Sequence, residues 1–174
     1  MFLLQSLLDC FPAELRAAFR VTLPRFDVTP LYAAANVFSR IFGAERLGVY
    51  ILRPPEHSQI LLANAQYDWL AREGARRGWT PLADAIEAQN HANLGDLVVA
   101  VYRNPHNDKP GHIAIVRPND KTVADLEHDG PQVTQAGTTN HQSITLRRGF
   151  SSHPLAWTEG HDVGFYAHAV APKR

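Results

Sequence analysis

Residues 95–118, GDLVVAVYRNPHNDKPGHIAIVRP, decide the fold that this sequence predicts. Two apolar runs rich in β-branched residues flank residues 104–110, a segment dense in Asn, Asp, His and Pro. This pattern predicts a β-hairpin with a long loop. His112 opens the second run directly after Gly111, so we expect it at a strand entrance, between the core and a cleft. A lone histidine in such a position more often has a structural role than a catalytic one, so the role of His112 depends on other residues of the chain.

The totals indicate an ordinary globular chain. The length of 174 residues suits one domain with a real core, and 45% of the residues are hydrophobic. The 17 basic residues balance the 17 acidic ones, so net charge does not direct the protein to nucleic acid or to an anionic membrane. We therefore expect no nucleic-acid partner.

Cysteine and histidine usage argues against disulfides and metals. Cys10 is the only cysteine, so the chain cannot form an internal disulfide. The 9 histidines are scattered, and no two have the i, i+4 spacing of a His-Glu-x-x-His zinc site. We expect no metal and no cofactor; a zinc hydrolase using the scattered histidines is the weakest of the functions considered.

Residues 1–10, MFLLQSLLDC, do not predict an ordinary signal peptide. They lack a basic start, the apolar run is short, and Asp9 stands where a small residue should precede a cleavage site. No stretch is long and apolar enough to span a bilayer, so we expect no membrane insertion. If the protein acts outside the cytoplasm, another route must carry it there.

Helical patterns dominate the first half of the chain. Thr29 and Pro30 provide an N-cap and a first-turn proline for a helix that Gly43 ends. A shorter helix is predicted over residues 12–20, and another over residues 58–72, with Trp69 in the core and Gly74 at its end. Thr80 and Pro81 repeat the cap-plus-proline signal, which predicts a helix through about residue 90.

Strand patterns follow in the second half. Besides the hairpin, short strands are predicted over residues 132–136, 143–148 and 162–170. Helices first and strands afterwards favour an α+β domain, with N-terminal helices packed on a C-terminal antiparallel β-sheet. There is no repeat or linker, so the prediction is one domain over residues 1–174.

Four segments resemble the NlpC-type and CHAP-type cell-wall amidases and endopeptidases, which share a papain-like fold. Residues 95–98 (GDLV) and 111–116 (GHIAIV) are similar to two of the family's strands, the second of which carries the catalytic histidine. Residues 133–137 (VTQAG) are similar to the family's next strand, which carries the polar residue that orients the catalytic histidine. Residues 32–38 resemble the helix that carries the family's nucleophile. The resemblance covers about residues 30–170, and it is closest to amidase toxins that bacteria inject into rivals.

The resemblance implies a site with His112 as base and Gln135 as the residue that orients its ring. The nucleophilic cysteine of the family falls on Ala35, within Ala35-Asn36-Val37-Phe38, and alanine cannot attack a carbonyl. Tyr32, Asn36 and Gly111 are the expected substrate-binding residues. Either Ala35 replaces a catalytic cysteine in an inactivated enzyme, or the chain is a natural non-catalytic relative; we prefer the first because both His112 and Gln135 are present.

Other residues compete for these roles. Cys10 precedes Phe11 and Pro12, and its apolar neighbours favour a buried, inert thiol over a nucleophile. His161 lies in a segment that resembles the histidine strand. That segment comes after the strand of residues 133–137, which would carry the orienting residue, so His112 is preferred to His161 as the base. Asn140 and His141 are the alternative orienting residues if Gln135 is only a polar residue at a sheet edge.

The resulting expectation is a peptidoglycan amidase or endopeptidase that is inactive with alanine at position 35. Its substrate would be the peptidoglycan stem peptide, and it would act in the bacterial periplasm or cell wall, or after secretion. The toxin resemblance also implies a cognate immunity protein. The alternative is a binding module that uses the same cleft to hold a wall peptide or a partner protein.

Overall fold

The computed structural model describes residues 62–135, 140–157 and 163–169. The helices predicted over residues 12–20 and from Thr29 to Gly43 lie outside these ranges, as does the start of the helix predicted over residues 58–72. Tyr32, Ala35 and Asn36 are therefore also outside the described part of the chain.

The described part contains four α-helices and six strands. The helices are α1 (Leu62–Trp69), α2 (Ala85–Asn93), α3 (Val123–Asp129) and α4 (Leu146–Gly149). The strands are β1 (Trp79–Leu82), β2 (Leu97–Tyr102), β3 (His112–Val116), β4 (Gln132–Gln135), β5 (His141–Thr145) and β6 (Val163–His168). A π-helical turn (Leu70–Gly74) and a 3-10 turn (Ala75–Arg77) connect α1 to β1.

The six strands form one antiparallel sheet in the order β1-β6-β2-β3-β4-β5. The sheet and its helices confirm the α+β class that the order of patterns predicted. The hairpin of residues 95–118 is also confirmed: β2 pairs with β3 from Val98 opposite Val116 to Tyr102 opposite His112. Every residue of β2 is buried, because it is a central strand covered on both faces.

The helix predicted to begin at Thr80 is wrong at its start. Residues 79–82 form β1, an edge strand paired with β6, where Pro81 is tolerated because an edge strand needs fewer N–H donors. The helix α2 begins after Asp84, whose side chain accepts a hydrogen bond from the Glu87 N–H at 2.8 Å. The Glu87 carboxylate in turn accepts from the Ala83 N–H, so this pair caps the helix.

Two further differences concern the second half of the chain. The strand predicted over residues 143–148 lies earlier, over His141–Thr145, because Thr145 caps α4 and ends the strand. The helix α3 was not predicted; Thr122 and Asp125 form a capping box that starts it. The strands predicted over 132–136 and 162–170 are confirmed within the described residues, over Gln132–Gln135 and Val163–His168.

The largest buried cluster lies on one face of the sheet. It includes alternate residues of the central strands, which point to the same side. Ala85, Ala88 and Ala92 of α2 pack onto this face, and their small side chains allow the helix to approach closely. Leu146, at the start of α4, and Phe150, directly after α4, belong to the same cluster. The ring of Phe150 also contacts that of His112. Among the described helices, none has the length and apolar character needed to cross a bilayer.

Candidate active site

His112 and Gln135 meet because of the register of β3 and β4. Ile115 lies opposite Thr134, and Val116 lies opposite Val133. Continuing this antiparallel register places Gln135 beside Ala114, on the same face as His112 and diagonal to it. The His112 Nε2 and the Gln135 Oε1 are 2.8 Å apart, in a buried hydrogen bond. The structure thus brings together two of the residues that the sequence assigned to a site.

This hydrogen bond defines the tautomer of the ring. The amide oxygen of Gln135 can only accept, so the Nε2 of His112 carries the hydrogen and donates it. In a neutral imidazole the other nitrogen, Nδ1, then has a lone pair. Within the described residues, no hydrogen bond engages Nδ1. The arrangement therefore presents a proton-accepting nitrogen whose orientation is held from the opposite side of the ring.

The surroundings of His112 favour its neutral form. Burial lowers the pKa of His112 from 6.5 to about 4; the hydrogen bond that His112 donates to Gln135 opposes this change and the nearby His153 adds to it. The ring of Phe150 meets His112 edge-on at 4.7 Å, and the ring of His153 stacks on it at 5.5 Å. Burial also lowers the pKa of His153. At neutral pH the site therefore holds an uncharged imidazole that can accept a proton.

Gly111 is buried, and its lack of a side chain is required by its neighbours. A Cβ at this position would collide with the main-chain oxygen of Tyr102, and it would lie 2.5 Å from the Oδ1 of Asn64. Gly111 therefore allows the strand β3 to begin tightly against β2, which fixes the backbone next to His112. Its expected role in substrate binding stays a prediction.

Asn64 of α1 holds both ends of the hairpin loop. Its Oδ1 accepts from the Asn104 N–H at 3.0 Å, and its Nδ2 donates to the Lys109 carbonyl at 2.9 Å. A second link joins Arg103 to Asp68 of α1, with the Nε and Oδ1 atoms 3.0 Å apart. The loop that precedes Gly111 and His112 is thus attached to α1 at three points, although its composition suggested only a polar turn.

Gly149 lies directly behind the orienting amide. A Cβ on Gly149 would be 2.8 Å from the Oε1 of Gln135 and 3.3 Å from its Cδ. The absence of a side chain at this position in α4 therefore makes room for the conformation in which Gln135 bonds to His112.

The other sequence-predicted site residues have different positions. Asn140 is exposed, and His141 lies opposite Gln135 in the β4–β5 pairing, whereas the bond to the His112 ring comes from Gln135 itself. Tyr32, Ala35 and Asn36 lie outside the described residues, as do Cys10 and His161. The meeting of residue 35 with His112 stays a prediction.

Sequence reasoning missed Asn64, Gly149, Phe150 and His153. Phe150 and His153 follow α4 in an irregular stretch, where no strand or helix period indicates which side chains share a face. Asn64 carried no distinguishing signal, because α1 also contains Gln66 and Asp68, and a local reading treats such polar residues as solvent-facing.

No group of three or more potential metal ligands occurs among the described residues. As for comparison with known proteins, no family model matches the sequence and no curated protein is significantly similar to it. The site's chemistry must therefore be argued from its own geometry: an oriented, neutral imidazole beside an aromatic wall, able to take a proton from a nucleophile and to return it.

Proposed function

We propose that the chain has the papain-like arrangement of a peptidoglycan amidase or endopeptidase, with alanine in place of the nucleophilic cysteine at position 35. The observation that carries the proposal is the buried 2.8 Å bond from the His112 Nε2–H to Gln135, on adjacent antiparallel strands. Such a bond holds an imidazole in the tautomer that a thiol-activating base requires. The α+β fold, in which α1 precedes the sheet and the other described helices lie between its strands, is compatible with it.

With cysteine at position 35, each proton and bond of the reaction has an assigned place. The thiol would give its proton to the Nδ1 of His112, and the thiolate would add to the carbonyl carbon of a stem-peptide amide. The imidazolium would then protonate the leaving amine as the C–N bond breaks. Water would give a proton to the same imidazole and add to the carbonyl carbon of the thioester. The C–S bond would then break to release the carboxyl product, and the imidazolium would return its proton to the sulfur. Gln135 would keep the ring oriented, and its amide oxygen would stabilise the positive charge of the imidazolium by accepting the Nε2–H.

The proposal is tested by Ala35→Cys. The variant is incubated with purified cell-wall sacculi, and released fragments are separated by chromatography and identified by mass. We expect fragments with new amino and carboxyl ends from Ala35→Cys and none from the protein with Ala35. A folded Ala35→Cys protein that releases nothing would contradict the assignment.

The chain offers matched controls for this experiment. Ala33, Ala34 and Ala35 are consecutive, so Ala34→Cys adds the same thiol one residue away and should stay inactive. Adding His112→Gln to Ala35→Cys should abolish release, because the base is lost. Adding Cys10→Ser should change nothing, since the proposal gives that thiol no role.

A non-catalytic module is the second candidate, and Ala35 itself favours it. A chain that naturally carries alanine would hold a wall peptide or a partner protein in the same cleft without cleaving it. Retention of the protein by insoluble peptidoglycan, together with an inactive Ala35→Cys variant, would support this function. For either function we propose action at the bacterial wall, in the periplasm or after secretion; a cognate immunity protein covering the cleft is part of the hydrolase proposal.

A further inference from the structure

A cavity of about 450 Å³ opens beside the candidate base. Phe150, His153 and Trp157 form part of its wall, and Arg147 and Arg148 lie at the same cavity. Phe150 and His153 are the two residues whose rings also contact His112. Phe150 and His153 therefore border both the cavity and the ring of the candidate base.

The guanidinium of Arg147 is held in place by His128, which lies in the last turn of α3. Its Nη1 lies 3.1 Å from the Nε2 of His128 and donates to the main-chain oxygen of His128 at 3.3 Å. An arginine is always a donor, so the Nε2 of His128 accepts and its Nδ1–H faces the Asp129 carboxylate at 2.9 Å. Asp129, the acidic residue that lines the cavity within the described part of the chain, thus already accepts a hydrogen bond from His128.

Hydrogen-bond donors remain for a ligand. Within the described part of the chain, the Nε and Nη2 of Arg147 and the whole guanidinium of Arg148 make no hydrogen bond or ion pair. The fork of donors on a guanidinium matches the two oxygens of a carboxylate. The cavity therefore combines a positive rim with an aromatic wall, as expected for a group that is part anionic and part apolar.

We propose that this cavity is a subsite that binds a free carboxylate of the peptide acted on or held at His112, with Arg147 and Arg148 as its ligands. The inference rests on the proposed function, because that function supplies a peptide at the neighbouring base. Stem peptides fit the subsite chemically, since they carry carboxyl groups along the chain and at the end. Arg147 and Arg148 determine which end or side group of the peptide lies beside Phe150.

The experiment uses the protein as it is, with Ala35, so that binding is measured without cleavage. A synthetic stem pentapeptide with free carboxyl groups is titrated by calorimetry, in parallel with the same peptide whose carboxyl groups are amidated. Because a hydrogen bond to a charged group contributes enough to change affinity roughly tenfold, we expect the free peptide to bind about ten times more tightly or better. In the variant Arg147→Gln/Arg148→Gln this preference should disappear.

Arg76→Gln/Arg77→Gln is the matched control, because it removes two exposed positive charges from the turn before β1. It should keep the preference for the free peptide. Arg148→Gln alone, whose guanidinium supports no contact within the described residues, tests the subsite without disturbing the His128 contacts. Equal binding of the two peptides to the protein, or an undiminished preference in the double variant, would overturn the subsite.

The two proposals fail in different ways. If Ala35→Cys releases fragments but the arginine substitutions leave the peptide preference intact, the subsite is wrong and the hydrolase stands. If the preference depends on the arginines but Ala35→Cys is inactive, the subsite stands and belongs to a binding module.

Discussion

Two buried histidines, His112 on β3 and His168 on β6, stand in the same sheet in opposite chemical situations. His112 is 9% exposed and His168 is 7% exposed, and each ring contacts an aromatic neighbour edge-on. His168 directs its Nδ1 to the Ala169 main-chain oxygen at 2.8 Å and its Nε2 to that of Arg77 at 3.1 Å. His112 uses one nitrogen for the side chain of Gln135, and the described residues leave the other without a hydrogen bond.

The comparison teaches that burial does not identify a functional histidine, whereas the partners of its two nitrogens do. Both nitrogens of His168 are directed at oxygens of the protein's own backbone, so the ring joins β6 to the turn before β1. Gly78, at φ +84°, fits this role, because a Cβ there would lie 2.9 Å from the His168 Nε2. His112 is instead held through one nitrogen, which leaves the other for a ligand or nucleophile.

The largest expected effect is the loss of stability on acidification through His112. An unfolded chain has a histidine pKa near 6.5, whereas burial lowers that of folded His112 to about 4. Between pH 6.5 and pH 4 the unfolded state therefore binds more protons than the folded state. Protonation of His112 in the unfolded chain does not affect the free energy of unfolding above pH 6.5, and it lowers that free energy as the pH falls toward 4. Between about pH 7.5 and about pH 4.5, denaturant titrations should show a loss of about 2–3 kcal/mol from this residue.

His112→Gln is the variant that isolates this effect, because its amide can still donate to Gln135 but does not titrate. Over the same pH range, the free energy of unfolding of His112→Gln should fall by about 2–3 kcal/mol less than that of the wild-type protein. His153→Gln should recover a smaller part, since burial lowers the pKa of the half-buried His153 as well. Equal acid sensitivity of the wild-type protein and His112→Gln would mean that the His112 ring is not held neutral by burial.

The next effect concerns His168. We expect His168→Leu to lower the free energy of unfolding by about 1–2 kcal/mol at neutral pH, because the substitution removes the ring N–H that donates to one of the two main-chain oxygens facing the ring. Fragment release by Ala35→Cys should persist in His168→Leu and disappear in His112→Gln, at a temperature where both are folded. The opposite pattern, with His168 needed for release and His112 dispensable, would reverse the comparison.

The hairpin was accessible from the sequence because it follows from local patterns, whereas the pairing of His112 with Gln135 was expected only from the resemblance to the NlpC-type family. Continuous β-branched runs around residues 104–110 specify two buried strands. The two-residue period of strands places His112 and Gln135 on one face once β3 and β4 pair. No such rule covers Phe150 and His153, which reach His112 from an irregular segment brought there by packing of Leu146.

The errors have equally local causes. Pro81 lacks an N–H, and both a helix start and an edge strand accept that, so Thr80-Pro81 alone does not distinguish them. The helix α3 has the capping signal of Thr122 and Asp125, but only Leu126 of its seven residues is buried, so no apolar period announced it. The carboxylate subsite depends on tertiary contacts between α3 and α4, which the sequence does not reveal.

The smallest expected change in stability, and the most direct test of the orienting bond, is Gly149→Ala. The added Cβ would lie 2.8 Å from the Oε1 of Gln135, at the end of a flexible side chain that can move. The net cost should be about 1 kcal/mol, because the loss of the buried bond between His112 and Gln135 is partly offset by the better helix propensity of alanine. The displaced amide should no longer hold the His112 Nε2–H.

The tautomer of His112 reports this displacement at neutral pH through the chemical shifts of its two ring nitrogens in NMR spectra. The wild-type protein should show the Nε2–H form alone, whereas Gly149→Ala should show averaged shifts from both tautomers. Gly95→Ala is the control for destabilisation alone: its Cβ meets nothing within 4 Å, so the variant should lose about 1–2 kcal/mol through the positive φ of +92° but keep the His112 tautomer. If His112 keeps the Nε2–H form in Gly149→Ala although its contact with Gln135 is lost, the ring is oriented by Phe150 and His153. Gln135 would then be a polar core residue, and the distinction between His112 and His168 would rest on the rings around His112 instead of on its amide partner.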